Sequence, residues 1–318
     1  MSQQLKDYFS LIRLYNQVGT LLLFAPCLIG LIISHNFSLS TIALFLLSSF
    51  VARSCGCILN DIADKNIDAR TPTTSNRVLA QNKLTTAQAI KFIITIIIIS
   101  LPLLIFYSTH VYIPLICVGI IVIIYPYSKR FFPAPQLFLG LAYASGFIIA
   151  IVHSLNVPIY HLHPKMFVVY SALVLWVIFF DTLYAKRDFT FDVQNGIKSS
   201  TRLFGSHYLI FSIFFMMISV FCLFALYTHW VLFILVTIIY GLLWNFKHAG
   251  EFSKVNMVLL FIILLEHIMI SSIVETSLGF IILGVSVALQ VFLTFLRYSK
   301  AFNLNVVCAI LLAVLFAL

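Results

Sequence analysis

The chain has 318 residues, of which 62% are hydrophobic and only 9% charged, with a formal net charge of +9. A soluble domain carries roughly 25% charged residues, and the apolar runs here reach the roughly 20 residues needed to cross a bilayer. The composition therefore excludes a soluble globular protein. It also excludes a nucleic-acid-binding module, because the bases flank apolar runs instead of forming a basic domain. What remains is a polytopic, all-α bundle of transmembrane helices in a lipid bilayer.

The first stretch, MSQQLKDYFSLIRLYNQ, is short, mixes an acid with its bases and has no clear cleavage site. No signal or transit peptide is expected, which favours a bacterial inner membrane over an imported organelle protein. Apolar windows then predict spans near 18–34, 41–58, 88–107, 111–128, 136–153, 166–184, 207–227, 230–246, 255–273, 278–296 and 303–318. With the N-terminus placed inside and the spans alternating, every Lys and Arg except Lys165 falls in an inside segment or the span end beside it. That asymmetry is what the positive-inside rule requires of a cytoplasmic N-terminus. The six cysteines lie mostly in apolar segments, and Cys55-Gly56-Cys57 lacks the His and Cys partners of a zinc site.

Two inside loops are long, 59–87 and 185–206, and each carries a cluster of acids. Asn60, Asp64 and Asp68 are spaced i, i+4, i+8, one face of a helix. Asp181, Asp188 and Asp192 are spaced i, i+7, i+11, and are expected along one face of a single helix leaving the membrane. Stacked like charges destabilise a helix, so a multivalent cation between the two faces is the natural reason for keeping them. Oxygen ligands without His or Cys point to Mg²⁺, which shares its shell readily with substrate phosphates. Arg53, Lys65, Arg77, Lys129, Arg130 and Lys198 lie near these acids in the sequence, as a diphosphate site requires. In a membrane protein, the expected diphosphate is a polyprenyl one.

The residues now on the page resemble a known family. NDIADKNID is similar to the NDxxDxxxD motif of the UbiA superfamily of intramembrane prenyltransferases, and DTLYAKRDFTFD is similar to its second motif, DxxYAxxDxxxD. The resemblance extends to LIRLYNQVGTLLLFAPCLIGL, RSCGCILND, YPYSKRFFPAPQLFLG and NGIKSSTRLFG, over about residues 11 to 205. DTLYA followed by GIKSST is most similar to the 4-hydroxybenzoate polyprenyltransferases of ubiquinone synthesis. The resemblance implies a single membrane domain over 1–318, with the motifs in 1–205 and further helices in 206–318. It implies nine helices where eleven spans are predicted, hence an inserted helix pair within roughly 229–296. The family's Asn-Arg-Pro-Leu is Asn76-Arg77-Val78-Leu79 here, so a looser turn after Arg77 is expected. Phe189, Thr190 and Phe191 stand where that branch often has further acids.

Together the residues and the resemblance predict a mechanism. Asn60, Asp64 and Asp68 hold one Mg²⁺, and Asp188 and Asp192 hold another, both on the diphosphate. Arg53, Arg77 and Lys198 take up charge on the leaving group. Tyr184 shields the allylic cation, Lys129 and Arg130 pair with the benzoate carboxylate, and Asp181 orients the phenol or accepts a proton. The expected substrates are polyprenyl diphosphate and 4-hydroxybenzoate, with no protein partner. Another aromatic acceptor, such as a naphthoate or haem, remains open at this stage. A cation transporter fits less well, because the acids lie at span ends with bases beside them instead of at the bilayer midplane.

Overall fold

The computed structural model describes residues 2–218 apart from 37, 209, 213, 216 and 217, all within the first of two units into which the chain divides, Met1–Ser219 and Val220–Leu318. The described residues are helical and contain no strand. A short helix α1 (Gln3–Leu11) is followed by α2 (Val18–Ile33), α3 (Leu39–Asp68), α4 (Thr86–Ser100), α5 (Tyr112–Phe131), α6 (Gln136–Leu155) and α7 (Pro164–Ala185). Two short helices, α8 (Phe189–Gln194) and α9 (Ser200–Phe204), complete the set. Five of the segments are long and apolar enough to cross a membrane, and α2 is a shorter apolar helix. These correspond to the first six predicted spans, and the protein is a multi-pass membrane protein. Most of the seventh predicted span, the eighth to eleventh, and the inserted pair lie outside the described residues.

Local signals set the ends of these helices. Ser38 caps α3 by accepting from the Thr41 amide at 3.1 Å. Thr85 and Gln88 form a reciprocal capping box at the start of α4, and Pro164 opens α7, where its missing N–H costs nothing. The outer faces of α4 and α5 leave Ile97, Ile98, Ile99, Ile113 and Ile116 exposed. Such a face is stable only against hydrocarbon, which agrees with the hydropathy reading.

Helix α6 packs against α2, α5 and α7. Small residues let α2 and α6 approach closely, as in other membrane bundles. A Cβ added at Gly30 would sit 2.8 Å from the Phe147 carbonyl oxygen and 2.7 Å from the Ala150 Cβ. Gly30→Val is therefore expected to destabilise the fold by about 1–3 kcal/mol through overpacking. Thermal unfolding of the purified protein in detergent checks this, with Gly119→Val as the control, since a Cβ there meets nothing within 4 Å.

The turn after Arg77 is not loose. Val78 and Leu79 are buried and pack with Leu11, Ile12, Ile58, Leu84, Ala89 and Ile93 in a small apolar cluster. The Lys83 amide donates to the Val78 carbonyl at 3.1 Å, and Asn82 takes the left-handed conformation that closes the turn. Burial of Val78 supplies the fixation that the ring of a proline would otherwise give.

Candidate active site

The first motif lies on a continuation of a span, since α3 runs unbroken from Leu39 to Asp68. The helix begins in the apolar layer and ends beyond it, which carries Asn60, Asp64 and Asp68 to the membrane edge on one face. The second motif does not form the single helix expected from its spacing. Helix α7 stops at Ala185, a 3₁₀ turn covers Lys186–Asp188, and α8 starts afresh at Phe189. A straight helix would rise about 10 Å between Asp181 and Asp188, at 1.5 Å per residue. Across the break the chain changes direction, and Asp188 and Asp192 line the same cavity as Asp181.

That cavity, of about 250 Å³, is lined by Asn60, Asp64, Asp68, Arg77, Lys129, Asp181, Tyr184, Asp188, Asp192 and Lys198, among others. Ten of the twelve residues given a role in the predicted mechanism thus converge on one space, while Lys65, noted only as a nearby base, is not among the lining residues. The remaining two lie elsewhere. Arg53 packs against the backbone of Gly19, with its Nε buried and without a hydrogen-bond partner. Arg130 is exposed, sits over the Tyr127 ring at 5.3 Å and donates to the Ala63 carbonyl of α3. The pair Lys129-Arg130 is therefore split, because neighbouring residues on a helix point about 100° apart.

Further contacts bind the two motif regions together. Lys129 pairs with Asp64. Thr73, in the loop after α3, donates to Asp188 Oδ1 at 3.1 Å. The Lys198 amide donates to the Lys129 carbonyl at 2.9 Å, and its ammonium donates to the Phe131 carbonyl at 2.7 Å. Gln136, at the start of α6, accepts from the Ser200 amide at 3.0 Å, and the Ser200 hydroxyl lies 2.6 Å from that of Thr182. Gln136 and Tyr125 also line the cavity, and neither stands out in the sequence. They stand at the two ends of YPYSKRFFPAPQ, and neither carries a charge that would mark it.

Asp61 is a third residue that the sequence spacing does not explain. It is buried and does not line the cavity. Arg13 meets both of its oxygens at 2.8 Å, and Arg77 lies 3.2 Å from one of them. Arg77 in turn meets Asp68 at 2.7 Å. Burial disfavours the charge on Arg77, but Asp61 and Asp68 outweigh it and raise its pKa above the ordinary guanidinium value.

The donor set suits a divalent cation that completes its shell elsewhere. All candidate ligands are oxygens, and Asp64 Oδ1 is buried toward the cavity with no hydrogen-bond partner. Among the described residues, no three His, Cys, Asp or Glu side chains close on a point by themselves. Mg²⁺ is usually held by one or two carboxylates plus phosphate oxygens and water. Asp192 has its pKa pushed up to about 6 by burial and by Asp188, with Lys129 and Arg202 acting the other way.

The described residues thus form a polytopic helical membrane protein with an acid-lined, base-ringed cavity at the ends of its spans. Residues 23–258 match the model of the UbiA prenyltransferase family, and the chain belongs to that family. It is a membrane transferase. It is similar to a "4-hydroxybenzoate octaprenyltransferase" of Francisella tularensis subsp. novicida, with 36% identity over 207 residues, which is 64% of this chain and 71% of that protein. A protein of the same name from Neisseria meningitidis serogroup B is 33% identical over 210 residues, 65% of this chain and 69% of its own. Among solved structures, a UbiA homolog from Archaeoglobus fulgidus bound to GPP and Mg²⁺ has a TM-score of 0.63 at 20% identity, covering 87% of this chain and 99% of that one. The apo structure of a UbiA homolog from Aeropyrum pernix K1 has a TM-score of 0.57 at 21% identity, covering 99% of this chain and 98% of that one. These two share the fold.

Proposed function

We propose that the protein transfers a polyprenyl group from polyprenyl diphosphate to the ring carbon ortho to the hydroxyl of 4-hydroxybenzoate, in ubiquinone biosynthesis. The observation that carries this reading is the convergence of both aspartate motifs, Arg77, Lys129 and Lys198 on one cavity at the ends of the spans. The names of the relatives supply the acceptor. Asn60, Asp64 and Asp68, and on the second motif Asp188 and Asp192, would hold Mg²⁺, which would supply Lewis-acid neutralisation of the diphosphate.

Arg77 and Lys198 orient the diphosphate and take up the charge that grows on its bridging oxygen as the allylic C–O bond breaks. The electron pair leaves with the diphosphate. The ortho ring carbon then forms the new C–C bond to C1 of the prenyl chain, and the ring proton is lost to a base. Asp181 lines the cavity away from the α8 carboxylates in sequence and is the candidate for holding the phenol or taking that proton. Tyr184 and Tyr125 present aromatic surface to the allylic cation. Lys129 is the cation proposed to reach the acceptor carboxylate when Asp64 is released to a metal.

The test is an acceptor panel. Membranes holding the protein, given polyprenyl diphosphate and Mg²⁺, should prenylate labelled 4-hydroxybenzoate at carbon in preference to a dihydroxynaphthoate. Preferential use of the naphthoate would keep the transferase and overturn the acceptor.

The proposed location is a bacterial inner membrane with the cavity facing the cytoplasm. The Thr73–Asp188 hydrogen bond ties the two long loops to one face. In a chain whose own six cysteines are replaced, Thr73→Cys and Asn195→Cys should label only from the cytoplasmic side, and His35→Cys only from the other. Labelling of positions 73 and 195 from opposite sides would contradict a shared face.

The raised pKa of Asp192 gives a pH dependence. Below about 6 this carboxyl holds a proton that a metal ion must displace. Apparent Mg²⁺ affinity should therefore rise with pH, by up to about tenfold per unit for one displaced proton, and level off above that value. A Mn²⁺ titration across the range checks this, and Asp192→Asn should flatten the profile.

A further inference from the structure

We propose that Asp61 is a positioning residue: it aims Arg77 at the diphosphate and takes no part in metal binding itself. The inference rests on the reading of Arg77 as a diphosphate partner. Asp61 sits inside an acid-rich motif, yet it is buried and is not among the residues that line the cavity beside Asn60, Asp64 and Asp68. Both of its oxygens are taken by Arg13 at 2.8 Å, and one also lies 3.2 Å from Arg77 Nη1.

The geometry follows from helix periodicity. Asp61 and Asp68 are seven residues apart, close to two turns, so they share one stripe of α3. One guanidinium nitrogen of Arg77 bridges them, at 3.2 Å from Asp61 and 2.7 Å from Asp68. A guanidinium held by Asp68 alone would swing about a single carboxylate and would be drawn to whichever acid was free. With Asp61 as a second, buried anchor, Nη1 of Arg77 is held from two sides, which leaves Nε and Nη2 for the cavity that Arg77 lines. Arg13 keeps Asp61 from being a lone buried charge. It does so from the end of α1, where its backbone takes a left-handed turn with φ of 58°. The N-terminal helix is thereby tied to the diphosphate end of the cavity through one carboxylate.

The experiment is a double-mutant cycle read by equilibrium binding of an unreactive prenyl thiolodiphosphate, in EDTA and again with Mg²⁺. Asp61→Asn should weaken binding about tenfold, as loss of a charge-assisted contact does, in both conditions. Arg77→Gln should weaken it at least as much, and Asp61→Asn added to Arg77→Gln should change it less than about twofold, because the effect travels through Arg77. Mn²⁺ binding without the analogue should survive Asp61→Asn and be lost in Asp64→Asn. If Asp61→Asn does not fold, the pair Asp61→Asn/Arg13→Met removes the orphaned cation as well and is put through the same cycle. Undiminished loss in the Arg77→Gln background, unchanged binding in Asp61→Asn, or loss of Mn²⁺ binding would overturn the inference. An Arg77→Gln variant that binds the analogue normally would instead overturn the diphosphate reading of Arg77 on which it rests.

Discussion

Asp64→Ala and Asp188→Ala are each expected to lower prenyl transfer by about 1,000-fold or more, the loss that goes with about 4 kcal/mol of transition-state stabilisation. Each removes a carboxylate from a different wall of the cavity, one on α3 and one in the turn between α7 and α8. Neither change should unfold the protein. Asp188 accepts from the exposed Thr73 hydroxyl, and the Lys129 ammonium that Asp64 leaves behind still lines the cavity. Activity measured at saturating Mg²⁺ in membranes, beside the amount of folded protein, checks both. Normal turnover by either variant would break the account of two cooperating carboxylate clusters.

Lys129→Met should have the second-largest effect, about 100-fold in kcat/KM, as expected when a partly buried, hydrogen-bonded charge is removed from a site. Lys129 lines the cavity and meets Asp64, while the adjacent Arg130 bonds a backbone carbonyl on the outside of α3. Arg130→Ala is accordingly expected to change kcat/KM less than about threefold, as an exposed ion usually does. The two Michaelis constants add a finer reading. A rise confined to 4-hydroxybenzoate puts Lys129 at the acceptor carboxylate, and a rise confined to the diphosphate puts it with the leaving group. A loss in Arg130→Ala as large as in Lys129→Met would return Arg130 to the site.

Much of this arrangement is written in the sequence, for physical reasons. The spans are legible because only hydrocarbon tolerates runs such as FIITIIIIS, and the aspartates stand out because charge is so rare beside them. The i, i+4, i+8 spacing of Asn60, Asp64 and Asp68 survives because α3 continues as one helix to the last of them. The second motif is misread by the same rule. Spacing assumes an unbroken helix, and the chain breaks at Lys186–Asp188 with neither Gly nor Pro there to announce it. Asp61 is invisible as a separate case, since its carboxylate differs from Asp64 only in direction, and direction needs Arg13 and Arg77 in place. Gln136 and Tyr125 are silent for the opposite reason: neutral side chains in apolar stretches acquire meaning only when neighbouring helices bring them to the cavity. Lys129 and Arg130 are equivalent in the sequence and are separated only by the rotation of α5.

The central claim is that both aspartate clusters close on one metal-bound diphosphate. Metal binding to the purified protein, followed by the electron paramagnetic resonance of Mn²⁺ with and without an unreactive prenyl thiolodiphosphate, tests it most directly. The account predicts that the analogue and the metal bind cooperatively, and that Asp64→Asn and Asp188→Asn each abolish that cooperativity. Analogue binding that is indifferent to Mn²⁺, or cooperativity that survives loss of either carboxylate, would contradict it.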